Sequence, residues 1–485
     1  MNTEAGFIEH HMMRHVRGNA GIGELWTIAL PMVISSTFDV LVMFIGRMFL
    51  SRVDSLQMAA MMTGGLTCFT ASTFFIGMIS YSGAIIAHLY GAGRKKDCSR
   101  MLTQAVMLAM VAYPMVLCLI PVGLGSFSWA GHSARQIALE SRFFIISMVF
   151  TSFFSLLRVP FAAFFSGIGA TSRIMFANFA GLASNVIISY ILVFGKFGFP
   201  KLEITGAAIA ISISSAVNLA ALAFFYFRRK NISEFGIVKS FVFNRLLMGR
   251  LIRFGFPSGL EFFINLSAFT AMVTMFHSYG ENMAAAVTIV YNWDMIAFLP
   301  MVGLQISVIT LVGQNLGRKN EAGAIRATYS GLKLNFLFSG FMLMLFLCLP
   351  KMLVGFFRPE VITEEWNKVA GMAVPMLMMM SIYPVSDGVF IVFSGAIRGA
   401  GDTAWAMAAS GICHWGGTLY TFILTHKLRL EPVTAWNLFL LIFPVLSLVF
   451  WLRFKSGRWK GRNVIPPEEA LASADLEPTP ATPLE

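Results

Sequence analysis

Asp387 and Tyr383 are the side chains of this sequence best placed to do chemistry. Asp387 lies in an apolar run, eleven residues before Arg398, so on a helix it sits roughly 16 Å from that basic end, about half the depth of a ~30 Å hydrocarbon layer. A carboxylate there costs at least ~2.5–3.5 kcal/mol unless it is paired or hydrated. Tyr383 precedes it by four residues, which puts phenol and carboxylate on one helix face. Such a pair can hold a cation through its oxygens or take up a proton, and either event removes the charge. The plainer alternative is an Asp satisfied by neighbouring hydroxyls for packing alone.

Other chemistries find little support. His88 and His414 stand alone in apolar sequence and are expected to be packed or hydrogen-bonded core residues. Cys68, Cys98, Cys118, Cys348 and Cys413 have no metal-like spacing, so neither a disulfide framework nor a zinc site is expected. The glycine-rich segments Ser166–Thr171 and Arg398–Thr403 follow apolar runs rather than strands, which argues for helix ends and against phosphate-cradling loops. No Ser/His/Asp or Cys/His arrangement is recognisable, and a transferase would need acids and histidines clustered at one membrane face. No catalytic residue, cofactor or nucleic-acid partner is therefore expected, and the chain is not read as an enzyme.

The elements that must position Asp387 are membrane helices. Hydrophobic residues make up 57% of the 485, charged residues 12%, and Phe alone numbers 47, far outside soluble composition. Twelve spans are expected, near 25–50, 57–89, 101–128, 140–167, 173–195, 205–227, 250–277, 284–315, 330–355, 368–397, 404–426 and 432–453. About 24 of the 36 Lys and Arg fall in the tails and alternate loops and about 10 in the opposite loops, which predicts cytoplasmic termini. The net charge of +12 thus reports topology and contact with anionic lipid headgroups. Residues 1–24 hold no apolar stretch before a small-residue site and do not read as a secretory signal.

Residues 31–97 and 257–323 overlay without a gap at an offset of 226, pairing Pro31 with Pro257, Gly77 with Gly303 and Gly91 with Gly317. A second pair, Ser166–Thr171 with Arg398–Thr403, has an offset of 232. Six spans per unit give both units the same orientation, so an all-α polytopic protein with a parallel internal repeat is expected, its substrate cleft between two six-helix lobes. The expected division is an N-terminal tail 1–24, an N-lobe 25–227, a cytoplasmic linker 228–249, a C-lobe 250–453 and a largely disordered tail 454–485.

Val312-Gly313-Gln314-Asn315-Leu316-Gly317, Gly255-Phe256-Pro257-Ser258-Gly259-Leu260 and Arg398-Gly399-Ala400-Gly401-Asp402-Thr403 resemble the multidrug and toxic compound extrusion (MATE) family in its bacterial NorM-like branch. The resemblance covers about residues 25–453. It implies twelve helices in two lobes and export of organic cations or amphipathic compounds in exchange for Na⁺ or H⁺ across the bacterial inner membrane. A flippase of a lipid-linked precursor is the alternative within the superfamily. The chain is expected to act as a monomer.

The resemblance also bears on the site. The family's C-lobe cation site is similar to Asp387 with Tyr383, and its third member is an acid eight residues after the proline of the seventh helix. That position is Asn265 here, an oxygen ligand without charge. Glu261, four residues earlier on the same face, either substitutes for it or pairs with a base at headgroup level. A coupling Asp in the family's first helix falls on Gly46 in this chain. Asp39, seven residues before it, is the repeat counterpart of Asn265 and is expected to serve as a second acid across the cleft, or else to pair with Arg47 or Arg158.

Overall fold

The computed structural model describes residues 21–129, 132–358 and 364–467. The expected tail 1–24 lies outside these but for residues 21–24, and the expected tail 454–485 beyond residue 467; residues 454–467 are packed, with Trp459 and Val464 buried, which corrects the expectation of disorder there. Backbone amides have no water to bond in hydrocarbon, so apolar runs of this length close their hydrogen bonds internally as helices. In chain order these are α1 (Ile22–Ser51), α2 (Ser55–Ser80), α3 (Ser82–Gly91), α4 (Lys95–Leu117), α5 (Ile120–Trp129), α6 (Ala134–Ile146), α7 (Ser152–Gly167), α8 (Ser172–Phe194), α9 (Glu203–Tyr226) and α10 (Arg229–Phe235). The second half holds α11 (Arg245–His277), α12 (Glu281–Gly317), α13 (Glu321–Cys348), α14 (Pro350–Gly355), α15 (Glu364–Met380), α16 (Tyr383–Gly399), α17 (Thr403–Phe422), α18 (Pro432–Phe439) and α19 (Ile442–Lys455). Several start on a capping side chain: Asp54 accepts from Leu56 N at 2.9 Å, Asn244 from Leu247 N at 3.0 Å and Asn320 from Gly323 N at 2.9 Å.

Among the described residues ten helical segments are long and apolar enough to cross a membrane, and α15 with α16, bent by 43° at a short break, makes an eleventh. The remaining expected span, 404–426, is α17 with its following π-turn Ile423–Lys427; its Gly, Ser, Thr and His residues dilute its apolarity. Several expected spans are interrupted, among them 101–128, which breaks between α4 and α5, and 330–355, which breaks between α13 and α14. The linker carries α10 and is pinned to α4. Gln104, fully buried, donates to Val242 O at 2.8 Å and accepts from Asn244 N at 3.1 Å.

The repeat registers the two halves against each other. A Cβ on Gly77 would lie 2.9 Å from Gly259 Cα, and one on Gly303 2.8 Å from Val33 N; both pairs map onto each other by the offset of 226. Likewise a Cβ on Gly91 would meet Gln314 O at 2.0 Å and one on Gly317 would meet His88 O at 2.1 Å. The second offset reappears in hydrogen bonds. His88 Nε2–H donates to Gly399 O at 2.7 Å and Gln314 Nε2 to Gly167 O at 2.8 Å, while Tyr81 donates to Arg398 O at 3.0 Å and Thr310 to Ser166 O at 3.1 Å. Glycine is required at these crossings because backbone presses on backbone.

All of these crossings lie towards one face, the one that carries the linker. There the packed cores mix: Leu25, Ile28 and Ala29 join a cluster of the second half, and Leu247 and Leu251 join one of the first. Towards the opposite face each half keeps its own cluster, one around Phe49, Phe143 and Ala207, the other around Phe276, Val290 and Trp436. The halves are therefore fused at the linker face and separately packed at the far face.

Candidate functional site

Asp387 is the fifth residue of α16, one turn past the bend from α15, and is buried at 4% exposure. The Tyr383 hydroxyl hydrogen-bonds its carboxylate, and Oδ2 has no protein partner. Facing it is a second buried carboxylate, Asp294 of α12, close enough for the two charges to interact. Asp294 Oδ1 and the hydroxyl of Tyr291, one turn earlier, are also unpartnered. Asn335 of α13 packs its fully buried amide onto Gly388, where a Cβ would come within 2.1 Å of Oδ1, and neither amide atom has a partner.

Three helices thus converge two carboxylates, two phenols and an amide whose polar atoms outnumber their bonds. Aromatic packing fixes the phenols: Tyr383 meets Phe443 edge-on at 4.4 Å, and Tyr291 meets Phe269 at 5.1 Å and Trp436 at 5.4 Å. Two buried carboxylates that feel each other's charge are costly to ionise together, so the pair favours uptake of a proton or of a small cation held by oxygen. Among the described residues no three His, Cys, Asp or Glu side chains come together as a metal site, which leaves the phenol and amide oxygens to complete any coordination.

Sequence reasoning found Asp387 and Tyr383 but missed Asp294, Tyr291 and Asn335. Asp294 is a further buried acid within the membrane-spanning helices. Its signal was present, since it lies thirteen residues into α12, roughly 20 Å from that helix's start. Its repeat counterpart is Cys68, so the duplication carries no matching acid to mark the position.

The other expected site residues sit apart. Asn265 of α11 accepts from Ser410 Oγ at 3.1 Å, next to His414, whose Nδ1–H donates to Ser410 O at 2.8 Å. Glu261, 2% exposed, lies 3.9 Å from Arg398 Nε, the base at the far end of α16 from Asp387. Arg398 Nη2 also donates to Ser258 at 2.5 Å. Glu261 is thereby committed to the linker-face crossing.

Asp39 belongs to a separate cluster in the first half. Asn178 of α8 donates to Asp39 Oδ2 at 3.2 Å and to Ser35 Oγ at 2.7 Å, and its Oδ1 accepts from Asn218 at 2.7 Å and Arg158 at 3.4 Å. Arg158 supplies the opposing charge. Arg47 Nε is buried without a partner. Asp39 is exposed, six residues beyond the Val33 crossing, about 9 Å further from the linker face.

A bundle of apolar helices, duplicated in register, with charged groups at mid-depth, defines a polytopic helical membrane protein. Residues 31–191 and 257–422 each match the MatE family model, in step with the internal repeat, and the chain belongs to that family. It is 23% identical over 444 residues to the multidrug resistance protein NorM of Aliivibrio fischeri, covering 90% of this chain and 91% of that one. It is 24% identical over 445 residues to the protein of the same name from Vibrio cholerae, covering 88% and 95%. Among solved structures it resembles a MOP superfamily transporter from Pyrococcus furiosus, described as having a binding pocket of reverse polarity, with TM-score 0.83 at 18% identity over 93% of this chain and 98% of that one. It also matches a multidrug resistance MATE family transporter in an outward-facing conformation, with TM-score 0.80 at 17% identity over 92% and 98%.

Proposed function

We propose that the chain is a cation-coupled antiporter that exports organic cations and other amphipathic compounds across the bacterial inner membrane by alternating access. The observation that carries this reading is the Asp294–Asp387 pair, buried with unpartnered oxygens on the far-face side of the fused crossings. The two halves are the moving lobes, joined by the linker at 228–249. The basic linker face is the cytoplasmic one, so the arrangement described is closed towards the cytoplasm and parted towards the outside.

Uptake of a proton or a Na⁺ from outside neutralises part of the acid pair. A pair that has lost charge holds an organic cation less well, because acids offset the cost of keeping a cation out of water. Ion entry therefore favours drug release outward, and drug capture from inside favours ion release there. Tyr383 steadies Asp387 in its charged form, while Tyr291 and Asn335 offer neutral oxygens that suit Na⁺ coordination. Asp39, with Arg158 and Asn178, is the second acid across the cleft.

The test is reconstitution into liposomes with a Na⁺ or a proton gradient imposed separately against a fluorescent organic cation. Uptake driven by at least one gradient and lost in Asp387→Asn supports the proposal. Equal dye movement with and without the protein under both gradients refutes it.

A further inference from the structure

The segment that follows α19 lies across the linker face and touches both halves. Its first part is fastened to the second half. Trp459, 2% exposed, stacks on Phe454 at 5.1 Å and donates to Phe454 O at 2.8 Å, and Lys460 pairs with Glu321 at 3.0 Å. Arg462 reaches Asp402 Oδ1 at 2.9 Å, while the other oxygen of that buried carboxylate takes Arg453 at 2.6 Å. Val464, 1% exposed, closes over Gly401, where a Cβ would come within 2.4 Å of its methyl group. Gly401 has φ +90°, a backbone that resists any other residue.

The remainder is fastened elsewhere. Arg94, at the start of α4 in the first half, donates from Nη1 to Pro466 O at 2.6 Å, and Arg250 of α11 donates to Asn463 O. Val464 and Ile465 pack into the cluster built mainly from first-half residues. The five residues from Arg462 to Pro466 therefore bridge Asp402 on one half to Arg94 on the other, across the face where the halves are fused. Parting that face would pull Arg94 and the cluster away from a segment anchored on α19.

We propose that residues 456–467 form a strap in which Arg462 and Val464 are positioning residues for transport. Arg462 holds the strap to Asp402, Val464 seats it against Gly401 and the first half, and the seated strap keeps the linker face closed. It must leave its seat in each cycle before that face opens. The inference rests on the alternating-access reading above, and its test is chosen so that the two fail separately.

Spin labels on Lys96→Cys and Arg318→Cys, exposed positions in different halves at the linker face, report their separation in full-length protein freed of its own cysteines and placed in nanodiscs, with no gradient or drug. The parent should give mainly one short distance. Arg462→Ala and Val464→Asp should raise the ratio of a longer distance to the short one by about tenfold, the scale of one charge-assisted hydrogen bond, and Arg462→Lys should restore the parent ratio. In driven ethidium efflux the two variants should change turnover more than KM. Unchanged distances in Arg462→Ala, whose half-exposed side chain puts folding at little risk, overturn the strap even if Val464→Asp does not fold. Altered distances in a chain that moves no dye would leave the strap standing and sink the transport reading.

Discussion

Residue by residue, the acid pair carries the most specific expectations. Asp387→Asn should reduce ion-driven efflux to background while the protein remains folded, because the amide is near the carboxylate's size and Tyr383 can still bond to it. Asp294→Asn should lower efflux by about tenfold, equivalent to ~1.4 kcal/mol, and alter the dependence on the driving ion, since one carboxylate would remain. Liposome efflux under each gradient decides both, and parent-like rates in Asp387→Asn would remove the proposed site. Arg398 is a different case. Its replacement by Gln leaves Glu261 buried without a counter-charge, an arrangement worth about 3–5 kcal/mol. Thermal unfolding in detergent should fall markedly for Arg398→Gln and recover in the double variant with Glu261→Gln; equal unfolding of single variant and parent would show that the pair is not needed.

At the level of elements, the glycine crossings do what side-chain contacts do in soluble cores. Gly91→Ala and Gly317→Ala each drive a methyl group into a carbonyl of the opposite half, and such overpacking costs about 1–3 kcal/mol. Because the clash exists only when the linker face is closed, both variants should shift the conformational balance by about 5- to 150-fold towards an open linker face. The repeat makes their effects alike in sign, and distance measurements across that face would expose any asymmetry. The linker has its own small pH dependence. Lys95 donates to Glu234 at 2.8 Å and holds its carboxyl below the ordinary carboxylate range. The contribution of this exposed pair is complete above the ordinary carboxylate pKa and is lost as pH falls through the lowered value. Glu234→Gln should flatten the acid limb of the unfolding profile only slightly, and less at high salt.

For the whole molecule, the orientation and the direction of transport stand or fall together. If the linker face is cytoplasmic, a cysteine at Lys239 or Pro467, both exposed, should resist an impermeant thiol reagent added to intact cells and react after permeabilisation. Reaction in intact cells would invert the topology and, with it, the sense of export. Cells stripped of their own exporters should accumulate less ethidium and survive higher doses when they make this protein. Equal accumulation and equal survival would rule out drug export whatever the topology.

The sequence by itself determined the membrane class, the helical architecture and the duplication, because apolar run length and a fixed residue offset are local properties that no packing can reverse. It also located Asp387 and Tyr383, since depth along a helix follows from counting residues. Even the fusion of the halves was partly legible: Gly91 and Gly317 stood out as a pair, although which backbone each would meet was not. Tertiary structure alone decided which charges share a space. Asp294 and Asp387 are 93 positions apart, Glu261 turned to Arg398 while Asn265 turned to Ser410, and a short run after the last helix lies over Gly401 and Arg94. Burial removes charges from water, and their partners are then set by whichever helices the packed cores bring together; one-dimensional spacing carries no record of that choice.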